Sequence, residues 1–151
     1  MGALRNSVSS VNAPLPIAGI DHVVIMTTDV LHMLSFYKKT LGATSPFEQA
    51  FIDGKTQSLP ILIGKAVVNL QAVEDPAYIV ADQLVSGSTD LCFRWDAPIA
   101  DAVTHLQSKG VEVIEGPVGR PAADGAWGKS VYFRDPEGNL LELLSTISDG
   151  G

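Results

Sequence analysis

Apolar positions along the chain change period several times, and those changes mark its elements. Ile20–Met26 (IDHVVIM) is β-branched and bounded by polar residues, which predicts a strand. Asp29, after Thr27-Thr28, is placed to cap a helix whose apolar stripe is Leu31, Leu34, Phe36, Tyr37 and Leu41, and Gly42 stops it. Short strands are expected at 46–52, 58–63 and 66–73, with Asp53-Gly54 and Gly64-Lys65 as turns. The pattern then restarts at Ser88. Thr89–Trp95 reads as a strand. Asp96 and Pro98 open a helix with the stripe Ile99, Ala102, Val103 and Leu106, and Gly110 ends it. Val111–Ile114 is expected to be a strand and 115–128 a loop rich in Gly, Pro and Ala. Ser130–Arg134 is a strand, Asp135–Asn139 a turn, and Leu140–Ser145 the last strand.

The spacing makes this a repeat. His22 to Gly42 is 20 residues, and so is Asp90 to Gly110. Aligning Val68–Gln71 with Asn139–Glu142 pairs the last strands, 49 and 52 residues after each strand start. Two βαβββ units of roughly 55 residues are predicted, each too small to bury a core alone, so they pack together. The expected layout is an arm at 1–17, one α+β domain over 18–146 made of modules 18–75 and 88–146, and a tail at 147–151.

Composition narrows the function classes. With 10 basic and 17 acidic residues the chain carries a net charge of −7, which argues against a partner that is nucleic acid or an anionic membrane. Its single cysteine, Cys92, rules out an internal disulfide framework and a multi-cysteine zinc site. No apolar run approaches the roughly 20 residues that span a bilayer. The arm has no signal-peptide core, only Arg5 as a basic residue, and Asn6 where a myristoylation motif wants Ser or Thr, so a cytoplasmic location is expected.

Four polar residues stand at repeat-related positions in otherwise apolar strands: His22, Gln71, Asp90 and Glu142. A carboxylate such as Glu142, set among leucines, is costly unless paired or metal-bound. Imidazole, carboxylate and carboxamide together suit Mn, Fe, Ni, Co or Zn with open positions left over. The bland reading of each residue singly is a satisfied strand residue or an exposed edge residue; the repeat raises them as a set.

The segment IDHVVI followed by a helix with FY and LG, together with SGSTDLCFRW, EGPVGR and KSVYFRDPEGNLLELL, resembles the vicinal oxygen chelate superfamily. That superfamily contains glyoxalase I, extradiol dioxygenases and the fosfomycin and bleomycin resistance proteins. The second half is similar to its glyoxalase-domain-containing, lactoylglutathione lyase-like "virulence protein" subgroup. The resemblance implies two tandem βαβββ modules forming a cup-shaped mixed sheet around a divalent metal, and a homodimer.

Carried over by position, it implies His22 and Glu142 as metal ligands, with Asp90 where other branches have histidine and Gln71 where glyoxalase I has a glutamate ligand. Tyr132 matches a pocket tyrosine of the fosfomycin enzymes, whereas Val24 replaces their activating threonine. Arg120 and Lys129 flank the Gly/Pro-rich loop and are candidates to bind an anionic substrate group. Cys92 shares the Asp90 face by alternation and is a candidate to line the cup.

The leading functional reading is a metal-dependent lyase or isomerase acting on a small oxygenated molecule through a metal-stabilised enediolate, with Glu142 or Asp90 as the base and Tyr132 beside them. Ring cleavage by a dioxygenase is the alternative, disfavoured because it wants two histidines and a carboxylate. A metal-free, bleomycin-resistance-like binding protein is the third reading, and the retention of His22 with Glu142 argues against it.

Overall fold

In the computed structural model, which describes residues 15–150, the first strand β1 (Val23–Thr27) buries Ile25 and Thr27 and turns Val24 and Met26 to the other face. Asp29 takes an extended backbone and accepts the His32 N–H at 3.0 Å, capping helix α1 (Val30–Leu41). Gly42, at φ 64°, ends that helix in the left-handed conformation that glycine adopts without strain. The buried stripe of α1 is Val30, Met33, Leu34 and Tyr37, while Leu31 is exposed.

The segment 46–52 is not a strand. It holds a short helix, α2 (Glu48–Ile52), because Glu48, Gln49 and Ala50 are good helix formers and no neighbouring strand edge claims them. β2 (Ser58–Ile63) and β3 (Ala66–Ala72) follow as expected. β3 lies between β1, to which it is parallel, and β2, to which it is antiparallel.

The second unit contains β4 (Asp90–Arg94), α3 (Ile99–Ser108), β5 (Glu115–Pro121), β6 (Trp127–Arg134) and β7 (Leu140–Ser145), in the sheet order β4-β7-β6-β5. Here β5 occupies the segment expected to be a loop, and Val111–Ile114 is not a strand. Pairing with β6, from Val118 opposite Ser130 to Pro121 opposite Trp127, overrides the poor strand preference of Gly and Pro. The outer position of β5 tolerates its prolines, which have no N–H to offer the ladder.

One core runs through both modules, from Ile25, Met33, Leu59 and Leu70 to Ile99, Leu106, Val131, Phe133 and Leu141. Polar bonds fasten the modules at its rim. The Glu137 carboxylate accepts from Thr27 Oγ1 at 2.5 Å and from Thr28 N and Oγ1 at 2.7 Å. Tyr37 donates to Asp135, and His105 Nε2 donates to the Thr40 carbonyl at 2.6 Å. Asp135 also accepts from the backbone N–H groups of Glu137 and Asn139 and from Asn139 Nδ2, so the Asp-Pro-Glu-Gly-Asn turn is a structural clasp. Among the described residues, strands β1 and β4 each end their sheet with no neighbour on the outer side. Among the described residues no helix is long and apolar enough to cross a membrane.

Candidate functional site

Glu142 sits on β7 directly beside Cys92 of β4 and directly opposite Tyr132 of β6. Cross-strand neighbours share a face, so strand pairing alone brings these three side chains together. Ser130, two residues before Tyr132 on the same face, donates its hydroxyl to Glu142 Oε2 at 2.5 Å. Arg120 Nε donates to the Tyr132 hydroxyl at 2.9 Å, and its guanidinium carbon lies 5.6 Å from the ring centre. Cys92, Glu142, Tyr132 and Arg120 line a cavity of about 470 Å³ together with Arg94 and Leu144. Arg94 belongs to the Asp90–Cys92–Arg94 face of β4; alternation from Asp90 was the signal that could have found it, and the sequence reading passed over it.

The Cys92 thiol is pushed up to about 12, first by burial and then by the negative charge of the Glu142 carboxylate beside it, and its Sγ donates to the Phe93 carbonyl at 3.9 Å. It therefore stays a protonated thiol at neutral pH and is no nucleophile. Asp90 is exposed at the start of β4, on the same face.

The first module holds the other candidates. His22 precedes β1 on the Val24–Met26 face, with its side chain 43% exposed and Nδ1 2.8 Å from Asp21 Oδ2. That partner favours the proton on Nδ1 and leaves Nε2 free as a ligand atom. Gln71 is buried, accepts the Ala77 N–H at 3.2 Å and lies 3.5 Å from Ser58 Oγ. It fastens the segment after β3 and lines a separate cavity of about 370 Å³ with Val24, Met26, residues 79–81 and residues 83–85.

The register also corrects the repeat alignment. Val24 stands beside Asn69 as Cys92 stands beside Glu142, so the counterpart of Glu142 is Asn69 and not Gln71. Asn69 Oδ1 is buried with no hydrogen-bond partner among the described residues. Sequence reasoning missed it, because a slip of two residues leaves a side chain on the same face of a strand. Lys129 is a second correction. It neighbours Ser130 in β6, so alternation turns it away from Glu142, and it is paired with Asp149 at 2.9 Å.

The glyoxalase/bleomycin resistance protein/dioxygenase superfamily model matches residues 19–143. The chain belongs to that superfamily. It is 34% identical over 128 residues to virulence protein STM3117 of Salmonella typhimurium, spanning 85% of this chain and 84% of the relative. The crystal structure of that relative covers 88% of this chain and 100% of its own, with a TM-score of 0.77. Glyoxalase domain-containing protein RDO1 of Mycosarcoma maydis is 35% identical over 134 residues, 87% of this chain and 70% of the relative. A FosX fosfomycin resistance protein from Listeria monocytogenes, crystallised with Mn(II) and 1S,2S-dihydroxypropylphosphonic acid, shares the fold at a TM-score of 0.59 and 19% identity, over 85% of this chain and 92% of its own.

Superfamily members act on or bind small molecules, and some of them hold divalent metals. In this member the donor types suit such an ion, but one chain keeps them apart. Among the described residues no three His, Cys, Asp or Glu side chains converge on one point. His22 stands at the free edge of one sheet, and Asp90 with Glu142 at the free-edge side of the other.

Proposed function

We propose that the protein is a divalent-metal-dependent enzyme performing glyoxalase-like lyase or isomerase chemistry on a small oxygenated molecule, in a site completed by two copies of the chain. One observation carries this reading. The strands that bear or follow His22 and Asp90 are both unpaired edges, and the corresponding polar positions of each module share one face. Unpaired edges seek partners. Joining β1 of one copy to β4 of another completes a two-fold assembly in which each copy uses both edges.

In that assembly His22 Nε2 and Asn69 Oδ1 of one copy, with Asp90 and Glu142 of the second, are the groups that would hold the metal. A bound divalent ion supplies Lewis acidity to two neighbouring substrate oxygens. The protein's own groups do the rest. Ser130 fixes the Glu142 carboxylate, and whichever of Glu142 and Asp90 is not held on the metal is the base that takes a proton from substrate carbon. The Tyr132 oxygen accepts from Arg120, so its own proton is free to donate to a substrate oxygen. Leu144, Ala122 and Ala123 give the cavity an apolar lining that limits water. Iron-dependent ring cleavage remains the second reading, and the single histidine of the set weighs against it.

The test is metal content after reconstitution with Mn, Fe, Co, Ni or Zn, for wild type, His22→Ala, Glu142→Ala and an equal mixture of the two variants refolded together. Wild type is expected to bind one ion per chain and each variant none. The mixture should recover about a quarter of the sites, because half of the dimers are mixed and one site in each has both ligands. No metal in wild type overturns the enzyme reading. Metal in wild type with none recovered in the mixture overturns the shared site.

A further inference from the structure

Two of the four arginines in this acidic chain line the cavity beside Glu142: Arg94 and Arg120. Arg120 is engaged with Tyr132 and with the Gly119 carbonyl. Arg94 is held differently. Its Nη2 donates to Thr146 Oγ1 at 2.9 Å, and its Nη1 lies 3.6 Å from Asp124 Oδ2, beyond hydrogen-bond distance.

Asp124 belongs to the turn between β5 and β6, while Arg94 is on β4, at the other edge of the β4-β7-β6-β5 sheet. For the two to meet, the β5–β6 hairpin must curl over the face that bears Glu142. The cavity lining agrees: Arg120 to Ala123 form one wall, and Cys92 with Arg94 form the opposite one. The hairpin therefore roofs the cavity, and Asp124 closes its mouth with the chain's own carboxylate.

The closure is weak by construction. Both side chains of the ion pair are more than half exposed, so water screens it. Asp124 is positioned by its own turn, where Oδ1 accepts the Ala126 N–H at 3.0 Å, and not by Arg94. The guanidinium itself is fixed by Thr146 and presents a planar donor edge that matches an oxyanion.

We propose that the substrate carries an oxyanionic group, a carboxylate or a phosphonate, which replaces Asp124 on Arg94, with Arg120 as the second cation of the same wall. The hairpin at 122–126 opens to admit it, and the chelating end of the substrate then lies toward Glu142. This deepens the proposed function and rests on it for the location of the chemistry. The anion site itself needs no metal.

The experiment is calorimetric titration of metal-free protein with benzoate, phenylphosphonate and neutral benzamide, using wild type, Arg94→Met and Asp124→Asn. Methionine is chosen because Met26 holds the equivalent position in the first module. Wild type should bind at least one of the anions and not benzamide, and the tighter anion identifies the group. Arg94→Met should weaken it about tenfold or more, as loss of a charged hydrogen bond does. Asp124→Asn should tighten it about threefold or more, since the internal competitor is gone. Benzamide bound as well as benzoate, or either variant unchanged from wild type, overturns the proposal. Metal uptake measured on the same samples separates the two readings: anion binding without metal sinks only the metalloenzyme, and metal without anion binding sinks only the anion site.

Discussion

The Tyr37 hydroxyl donates to Asp135 Oδ2 at 2.7 Å, joining two buried residues 98 positions apart. One is on α1 of the first module and the other opens the β6–β7 turn of the second. Burial, and the negative charge of Asp135, push the Tyr37 phenol far above its ordinary range, so it is a permanent donor. Replacing it by Phe keeps the ring packing and removes the bond. A stability loss of about 1.5–3 kcal/mol is expected, the usual range for a bond to a charged group. It should be read as a lower urea midpoint with an unchanged slope. An unchanged midpoint would mean that this bond adds nothing to the joint, which the apolar core and the Glu137 and His105 bonds would then hold.

Glu137 makes the clasp pH-dependent. Burial opposes its ionisation, but the bonds from Thr27 and Thr28 outweigh that, so its carboxyl lies below the ordinary glutamate value of 4.5. A depressed folded value means stability that is fully present above 4.5 and is lost as pH falls through the folded value. Glu137→Gln carries no titrating group. Its unfolding midpoint should therefore fall less steeply than that of wild type below pH 4.5. Parallel acid profiles for the two proteins would remove Glu137 from the acid response.

Gly128 has no room for a side chain. An added Cβ would lie 2.4 Å from the Ser145 carbonyl oxygen, a backbone atom of the neighbouring strand. Gly128→Ala must push β6 and β7 apart at the Ser145 end of their ladder, two residues before Ser130. A loss of about 1–3 kcal/mol is expected, which for a domain of this size lowers the melting temperature by roughly 2–10 °C. A melting temperature within a degree of wild type would show that the sheet yields there at no cost.

How far the sequence carried depends on which physical signal each element has. The Asp29 cap, the Gly42 stop and the Leu140–Ser145 strand were legible, because each is written in a local residue choice. β5 was not, since its Gly and Pro residues become a strand only through pairing with β6. α2 was not, since Phe51 and Ile52 imitate strand composition while the residues before them decide the helix. In the site, Glu142, Tyr132, Cys92 and Arg120 were legible and the structure brings them together. Lys129 failed by one residue, which flips the face of a strand; it lay at the border of the supposed loop, where alternation was not applied. Asn69 failed by two residues, which period-two reasoning cannot detect and only backbone register reveals.

That two-residue difference makes the last prediction. Gln71 has its carbonyl oxygen occupied by the Ala77 N–H, whereas Asn69 Oδ1 is buried without a partner. A buried oxygen left unsatisfied costs stability, and a cation approaching the face of Val24 and His22 would repay it. Gln71→Ala should leave metal uptake at the wild-type level and loosen the segment after β3. The Ala77 amide, losing a bond of about 0.5–1.5 kcal/mol, should exchange with solvent roughly twofold to tenfold faster. Asn69→Ala should leave that amide protected and weaken metal binding. Hydrogen exchange and metal titration on the two variants give opposite expectations for each residue. If Gln71→Ala abolishes metal uptake as completely as Glu142→Ala while Asn69→Ala does not, Gln71 must leave Ala77 to serve as the ligand, and the donor set read from the strand register is wrong.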